Sequence, residues 1–265
     1  QLNAIPMKME IIKTEALFGS QQLKYKGNMS GLCGRDSTGC LDRYRSKIGD
    51  IRNALRDNRI LLDRYRTLYN YPHFRETVLS HVLAPIFIEP TMLSSLLRAQ
   101  QALVALEGNP RTALRNLRDD TVYWRRILEQ SRNLISRMIA VATIHGNAQL
   151  ASEIVATFPL DSQTLAIAAD TVQPLVTSGH DLGKVFRYEF GSVMHMLAHA
   201  SAYSNQPCSS DESWSDCLLQ RLTHSLFLKP NATINLHYEM YRSATALNRL
   251  PAPDFINAVR TRRAD

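Results

Sequence analysis

From Leu41 to Tyr69 the apolar side chains recur at alternating spacings of three and four: Leu41, Tyr44, Ile48, Ile51, Leu55, Leu62, Tyr65 and Tyr69. Such spacing gathers them on one face of a helix and predicts a seam that packs against a second helix. Asn58 stands where the seam calls for a hydrophobic residue. Either the helix runs on past it, or Asp57 caps a new helix starting near Arg59 and the run folds as a helical hairpin. The string Leu41-Asp42-Arg43-Tyr44-Arg45 returns as Leu62-Asp63-Arg64-Tyr65-Arg66 at an offset of 21 residues. Three heptads keep both copies in phase with the seam, which reads as one packing solution used twice.

The remaining pattern is also helical. Pro72, Pro85 and Pro90 mark an irregular connection, with a short helix over Phe74 to Val82. A helix is predicted from Thr91 to Glu107, stopped by Gly108, and Asn109-Pro110 starts the next. That pattern reaches toward His145, where Gly146-Asn147 is expected to break it before a helix from Ala148 to Thr157. Further helices are predicted over Asp161 to Thr171, Asp181 to Ala202, Asp216 to Phe227, Leu236 to Leu247 and Pro253 to Arg262. No stretch alternates with a period of two. The chain therefore reads as all-α, a compact bundle of eight to ten helices with disulfide-pinned loops. Residues 1–32 read as an extension and linker, and 33–265 as a single helical domain.

Four cysteines set the compartment. Cys33 and Cys40 enclose six residues, Cys208 and Cys217 enclose eight, and both enclosed stretches are polar and turn-like. Structural zinc sites usually space their thiolates two to four residues apart, so disulfides in an oxidising compartment are the better reading. Pairing within each loop is the simplest of three connectivities, and the sequence leaves the other two open. No apolar run approaches the roughly 20 residues needed to span a bilayer. Export is therefore expected to depend on a removed signal peptide or a missing N-terminal membrane anchor.

The 265 residues carry a formal charge of +7. Its densest basic stretch, Arg43 to Arg66, holds eight Lys or Arg, with the acids Asp42, Asp50, Asp57 and Asp63 set among them. That alternation is a solvated helix face and argues against nucleic acid as a partner. The net charge still favours weak, salt-sensitive attraction to anionic envelope components such as phospholipid head groups.

Candidate chemistry is thin. His195 and His199 lie four apart on one helix face, a spacing able to hold a metal, but the zinc-protease motif needs a glutamate where Met196 stands. Glu189 points about 120° away from His195 on a straight helix, so the three do not converge. There is no nucleophile elbow, no phosphate loop and no cofactor motif, and none of these cofactors is expected. Glu189 is the candidate acid if the chain cleaves glycans, although no second carboxylate suggests itself.

Arg137 falls on the stripe of Leu134, Met138 and Val141, and Glu189 on that of Leu182, Phe186, Val193 and Met196. Both charges are expected to face the interior, paired with each other or joined in one polar cluster with Asn231 or Asn235.

The segments Leu134-Ile135-Ser136-Arg137-Met138-Ile139-Ala140, Arg187-Tyr188-Glu189-Phe190 and Leu228-Lys229-Pro230-Asn231-Ala232-Thr233-Ile234-Asn235, with Cys40-Leu41-Asp42-Arg43-Tyr44, resemble parts of uncharacterised proteobacterial single-pass inner-membrane proteins. The resemblance implies a periplasmic helical domain behind one N-terminal transmembrane helix, and it implies no activity. The expectation is a non-catalytic periplasmic or exported domain that binds an envelope protein or polymer. The alternative is an envelope hydrolase, glycan-cleaving through Glu189 or metal-dependent through His195 and His199.

Overall fold

The structure is a computed structural model, and it describes residues 25–27, 32–33, 38–75, 88–175, 181–204, 215 and 229–262. The described residues are all-α, with ten α-helices, one 3-10 turn and no strand. Their contacts fall into two compact units, one built from the described residues up to 175 and the other from those after 180.

The larger unit holds α1 (Cys40–Arg45), α2 (Ile48–Asp57), α3 (Arg59–Thr67), α4 (Ile88–Leu106), α5 (Pro110–Gln130), α6 (Leu134–Thr157) and α7 (Ser162–Val172). Helices α5 and α6 pack along each other most extensively. α4 and α7 pack on both of them, and α1, α2 and α3 each lie against α4. The predicted seam is the reason: Leu41, Tyr44 and Ile51 enter one core cluster with Leu103, Leu117 and Ile154, and Leu62 and Tyr65 enter another with Leu96, Leu97 and Trp124. The repeated Leu-Asp-Arg-Tyr-Arg string thus delivers a Leu and a Tyr to each cluster.

The seam is nevertheless three helices, and the second break falls at Asn58. Its buried side chain donates from Nδ2 to the carbonyls of Ala54 at 2.9 Å and Lys26 at 2.7 Å. Its Oδ1 accepts from the Lys26 amide at 2.8 Å, so the polar residue in the apolar stripe ties residues 25–27 to the helix pair. Asp57 does not cap α3; it pairs with Arg56 at 3.2 Å.

Cys33 and Cys40 are bonded, with a Cα separation of 5.8 Å. Cys208 and Cys217 lie outside the described residues. The bonded loop delivers the chain to the start of α1, where helix amides have no intrahelical acceptor. Glu153 of α6 supplies one from more than a hundred residues away: Oε1 accepts from Gly39 at 2.8 Å and Cys40 at 3.1 Å, and Oε2 from Leu41 at 2.8 Å. On the other side, the Tyr44 hydroxyl accepts from the Cys33 amide at 3.0 Å.

Between residues 109 and 157 the sequence reading misplaces the break. α5 stops at Gln130, Asn133 caps α6 by accepting from the Ile135 and Ser136 amides, and α6 continues through Gly146-Asn147 without interruption. A Cβ on Gly146 would sit 3.1 Å from the Arg98 guanidinium carbon. The glycine is there for close packing, and Asn147 reaches a buried carboxylate, so neither ends the helix.

The smaller unit consists of α8 (Gly183–Ser204), α9 (Pro230–Asn248) and α10 (Ala252–Arg262); α8 packs along α9, and α10 packs on α9. Asp181 Oδ1 accepts from the Gly183 amide at 2.8 Å at the entry to α8. The short helix expected over Phe74 to Val82 and that over Asp216 to Phe227 lie largely or wholly outside the described residues.

Candidate binding groove

The face that α8 turns to α9 carries Phe186 and Phe190, one helical turn apart. α9 answers with Tyr238, Tyr241 and Thr245 at steps of three and four, and Arg249 follows directly after its last residue. The rings interlock: Phe190 meets Tyr238 and Tyr241 at centroid distances of 5.9 and 6.1 Å, and Phe186 meets Tyr241 at 5.9 Å. Large rings cannot close flush on both sides. They leave a groove of about 400 Å³ lined by Phe186, Arg187, Phe190, Tyr238, Tyr241 and Arg242, and continued by Thr245, Ala246 and Arg249.

The walls are aromatic and the edges are cationic. Of the three arginines, Arg242 is ion-paired among the described residues, at 3.1 Å to Glu239 in an exposed pair, which is a weak hold. Burial pushes the Tyr241 phenol up, and the charge of Glu189 pushes it further. The lining contains no carboxylate, histidine or cysteine. Such a surface suits a partner with apolar bulk and negative charge, bound by ring contact and by guanidinium pairing. Tyr238, at 51 % exposure, keeps the aromatic wall open to solvent, while the exposed Leu236 and Met240 fall on the opposite face of α9.

No protein-family model, curated protein or solved structure matches this chain.

The residues singled out from sequence are spread over both units. Glu189 and His195 are half-buried on α8, and the side chain of His199 lies outside the described residues. Among the described residues no three metal-binding side chains gather. Asn231 and Asn235 are exposed at the start of α9, whereas Arg137 lies in α6 of the larger unit, 4 % exposed. The expected cluster is thus not a contact set inside either unit. Arg137 does face inward, but the stripe invoked for it does not: Met138 is 55 % exposed and Val141 45 %. α6 carries apolar residues all round, and the face it buries runs through Ser136, Arg137, Ala140, Thr143, Ile144 and Asn147.

A polar centre that the sequence reading passed over lies in the larger unit. Asp120 is fully buried on α5. Its Oδ1 accepts from the hydroxyls of Tyr65 at 2.6 Å and Tyr69 at 2.8 Å. Its Oδ2 accepts from Asn147 Nδ2 at 2.7 Å and Ser94 Oγ at 3.3 Å. Trp124 Nε1 donates to the Tyr65 oxygen at 2.7 Å, and the buried Arg98 reaches Ser94 Oγ at 3.2 Å and Ser95 Oγ at 2.8 Å. Arg98 is thereby linked to Asp120 through one hydroxyl. The signal was available: Asp120 sits three residues after Leu117 and four before Trp124, on the apolar stripe of its helix.

Burial holds the Asp120 carboxyl above its ordinary 3.8, and the donors from Tyr65, Asn147 and Tyr69, with the charge of Arg98, only partly offset this. Burial and then Asp120 push the Tyr123 phenol up to about 12, and Tyr65 and Tyr69 also rise. A carboxyl whose folded pKa lies above its unfolded one binds more protons when folded. Its contribution is full below the unfolded value of 3.8 and declines as pH rises through the folded pKa. The stability of the native chain relative to an Asp120→Asn variant is therefore expected to fall as pH is raised from 3.8. Urea titrations of both proteins across that range check it; a difference that grows with pH would contradict it.

Proposed function

We propose that the chain is a non-catalytic, exported helical domain that binds a component of the cell envelope through the α8–α9 groove. The observation that supports this best is the contrast between the two polar features. The Asp120 carboxylate is enclosed and met by four donors, which makes it an internal staple, while the arginines of the groove face outward beside an open aromatic surface. A hydrolase needs its reactive carboxylate at the floor of an open cleft. A binding surface needs accessible apolar area with charges that lack strong internal partners. The Cys33–Cys40 bond agrees with an oxidising compartment, and a membrane anchor preceding the domain would hold it at the inner membrane.

The competing reading keeps one foothold, because Glu189 lies beside Tyr241, which lines the groove. Affinity capture from crosslinked cells separates the two. With wild-type chain as bait, a specific envelope component is expected. The Arg187→Glu/Arg249→Glu variant is expected to lose at least about tenfold of it, since each charge reversal removes an attraction and adds a repulsion. Glu189→Gln should retain it. Unchanged capture by the double variant would overturn the groove assignment, and turnover of an envelope glycan abolished by Glu189→Gln would favour the hydrolase.

A further inference from the structure

We infer that the α8–α9 groove receives an anionic amphiphile, with a phosphate or carboxylate head among Arg187, Arg242 and Arg249 and an alkyl chain along Phe186, Phe190 and Tyr241. This rests on the reading that the groove is the binding surface and narrows its occupant to a lipid-like molecule.

Three features of the lining select that chemistry. The first is what it cannot bond. Both walls are helices whose backbone amides and carbonyls are spent internally, and the Thr245 hydroxyl donates to the Tyr241 carbonyl at 2.8 Å. An extended peptide laid in the groove would bury its own amides against partners that are already engaged, which is costly, whereas an alkyl chain has no such groups. The second is size. A groove of about 400 Å³ lies at the small end of ligand sites, which suits one chain better than a folded surface or a polysaccharide. The third is the charge. Three exposed arginines border a pocket that has no lining carboxylate, and a guanidinium group pairs with phosphate or carboxylate oxygens in a fork geometry.

The head group could come from a dispersed amphiphile or from an anionic membrane surface, and the experiment separates these. Isothermal titration of the full chain with dodecyl phosphate below its micellar concentration is expected to show one site. Dodecyl maltoside, with the same tail and no charge, should bind at least about tenfold more weakly. The Arg187→Gln/Arg249→Gln variant, altered at two exposed positions and checked for helicity by circular dichroism, should lose about tenfold or more for dodecyl phosphate and little for the maltoside. Sedimentation with phosphatidylglycerol vesicles, but no binding of dispersed dodecyl phosphate, would assign the head group to a membrane surface; sensitivity to the same two arginines is then required. Equal binding of the neutral and anionic probes, or indifference to the arginine substitutions in both formats, would overturn the inference. If an acidic protein is trapped on the groove and dodecyl phosphate does not displace it, the groove reading survives and the amphiphile does not. If neither probe binds and nothing is trapped there, both fall.

Discussion

Replacing Asp120 with alanine is expected to lower the free energy of unfolding by about 3–5 kcal/mol. The carboxylate is fully buried and is the common acceptor for Tyr65, Tyr69, Asn147 and Ser94. Its removal strands four donors and leaves the buried Arg98 guanidinium facing hydroxyls alone. Each stranded donor costs about 1–3 kcal/mol, but the chain relaxes around a small cavity and the terms do not add in full. Asp120→Asn is expected to cost less, about 1–3 kcal/mol, because its amide oxygen can serve the two tyrosines while its NH₂ group meets the Asn147 amide donor head on. Chemical denaturation with an unchanged slope reads both values. A loss below about 1 kcal/mol for the alanine variant would mean that the network contributes little beyond what water would supply.

The start of α1 should give the second largest effect. Opening the Cys33–Cys40 bond by Cys33→Ser/Cys40→Ser frees a short loop, for which chain entropy gives about 2–3 kcal/mol. Glu153→Ala removes the acceptor for three amides at the same place and should cost about 1–3 kcal/mol. The two devices hold the same residues, so the triple variant is expected to lose less than the sum. Once the loop is free, α1 frays and Glu153 has nothing left to cap. A double-mutant cycle by thermal unfolding measures this, and strict additivity would show that the bond and the cap act independently.

The fold was legible where burial follows the helical period, and illegible where polar residues enter the core. The Leu41 to Tyr69 stripe packs as its spacing demands, because each of its apolar positions has a facing helix. Gly146 and Asn147 have a local preference for breaks and Asn58 interrupts an apolar stripe, yet the positions of all three are set by partners far away in sequence: Arg98, Asp120 and Lys26. No local rule contains those partners. On α6 the wheel failed for another reason, since apolar residues surround the helix and the stripe through Met138 and Val141 stays in contact with solvent. Asp120 obeyed the same wheel logic that drew attention to Arg137, and its place between Leu117 and Trp124 marked it as a buried charge. The groove was half legible: Phe186, Phe190, Tyr238 and Tyr241 have the spacing of packed faces, but only the packing of α8 on α9 shows that their rings leave a space and that arginines line it.

The central claim, that the α8–α9 groove is the surface by which this domain meets the envelope, is tested most directly by photocrosslinking from single positions in intact cells. A photoreactive residue at Tyr238, in the groove, is compared with one at Ile60, an exposed apolar position on the larger unit. A discrete envelope adduct is expected from position 238, lost when Arg187 and Arg249 are reversed in charge, and no such adduct from position 60. The same adduct from both positions, or a discrete one from position 60 alone, would contradict it.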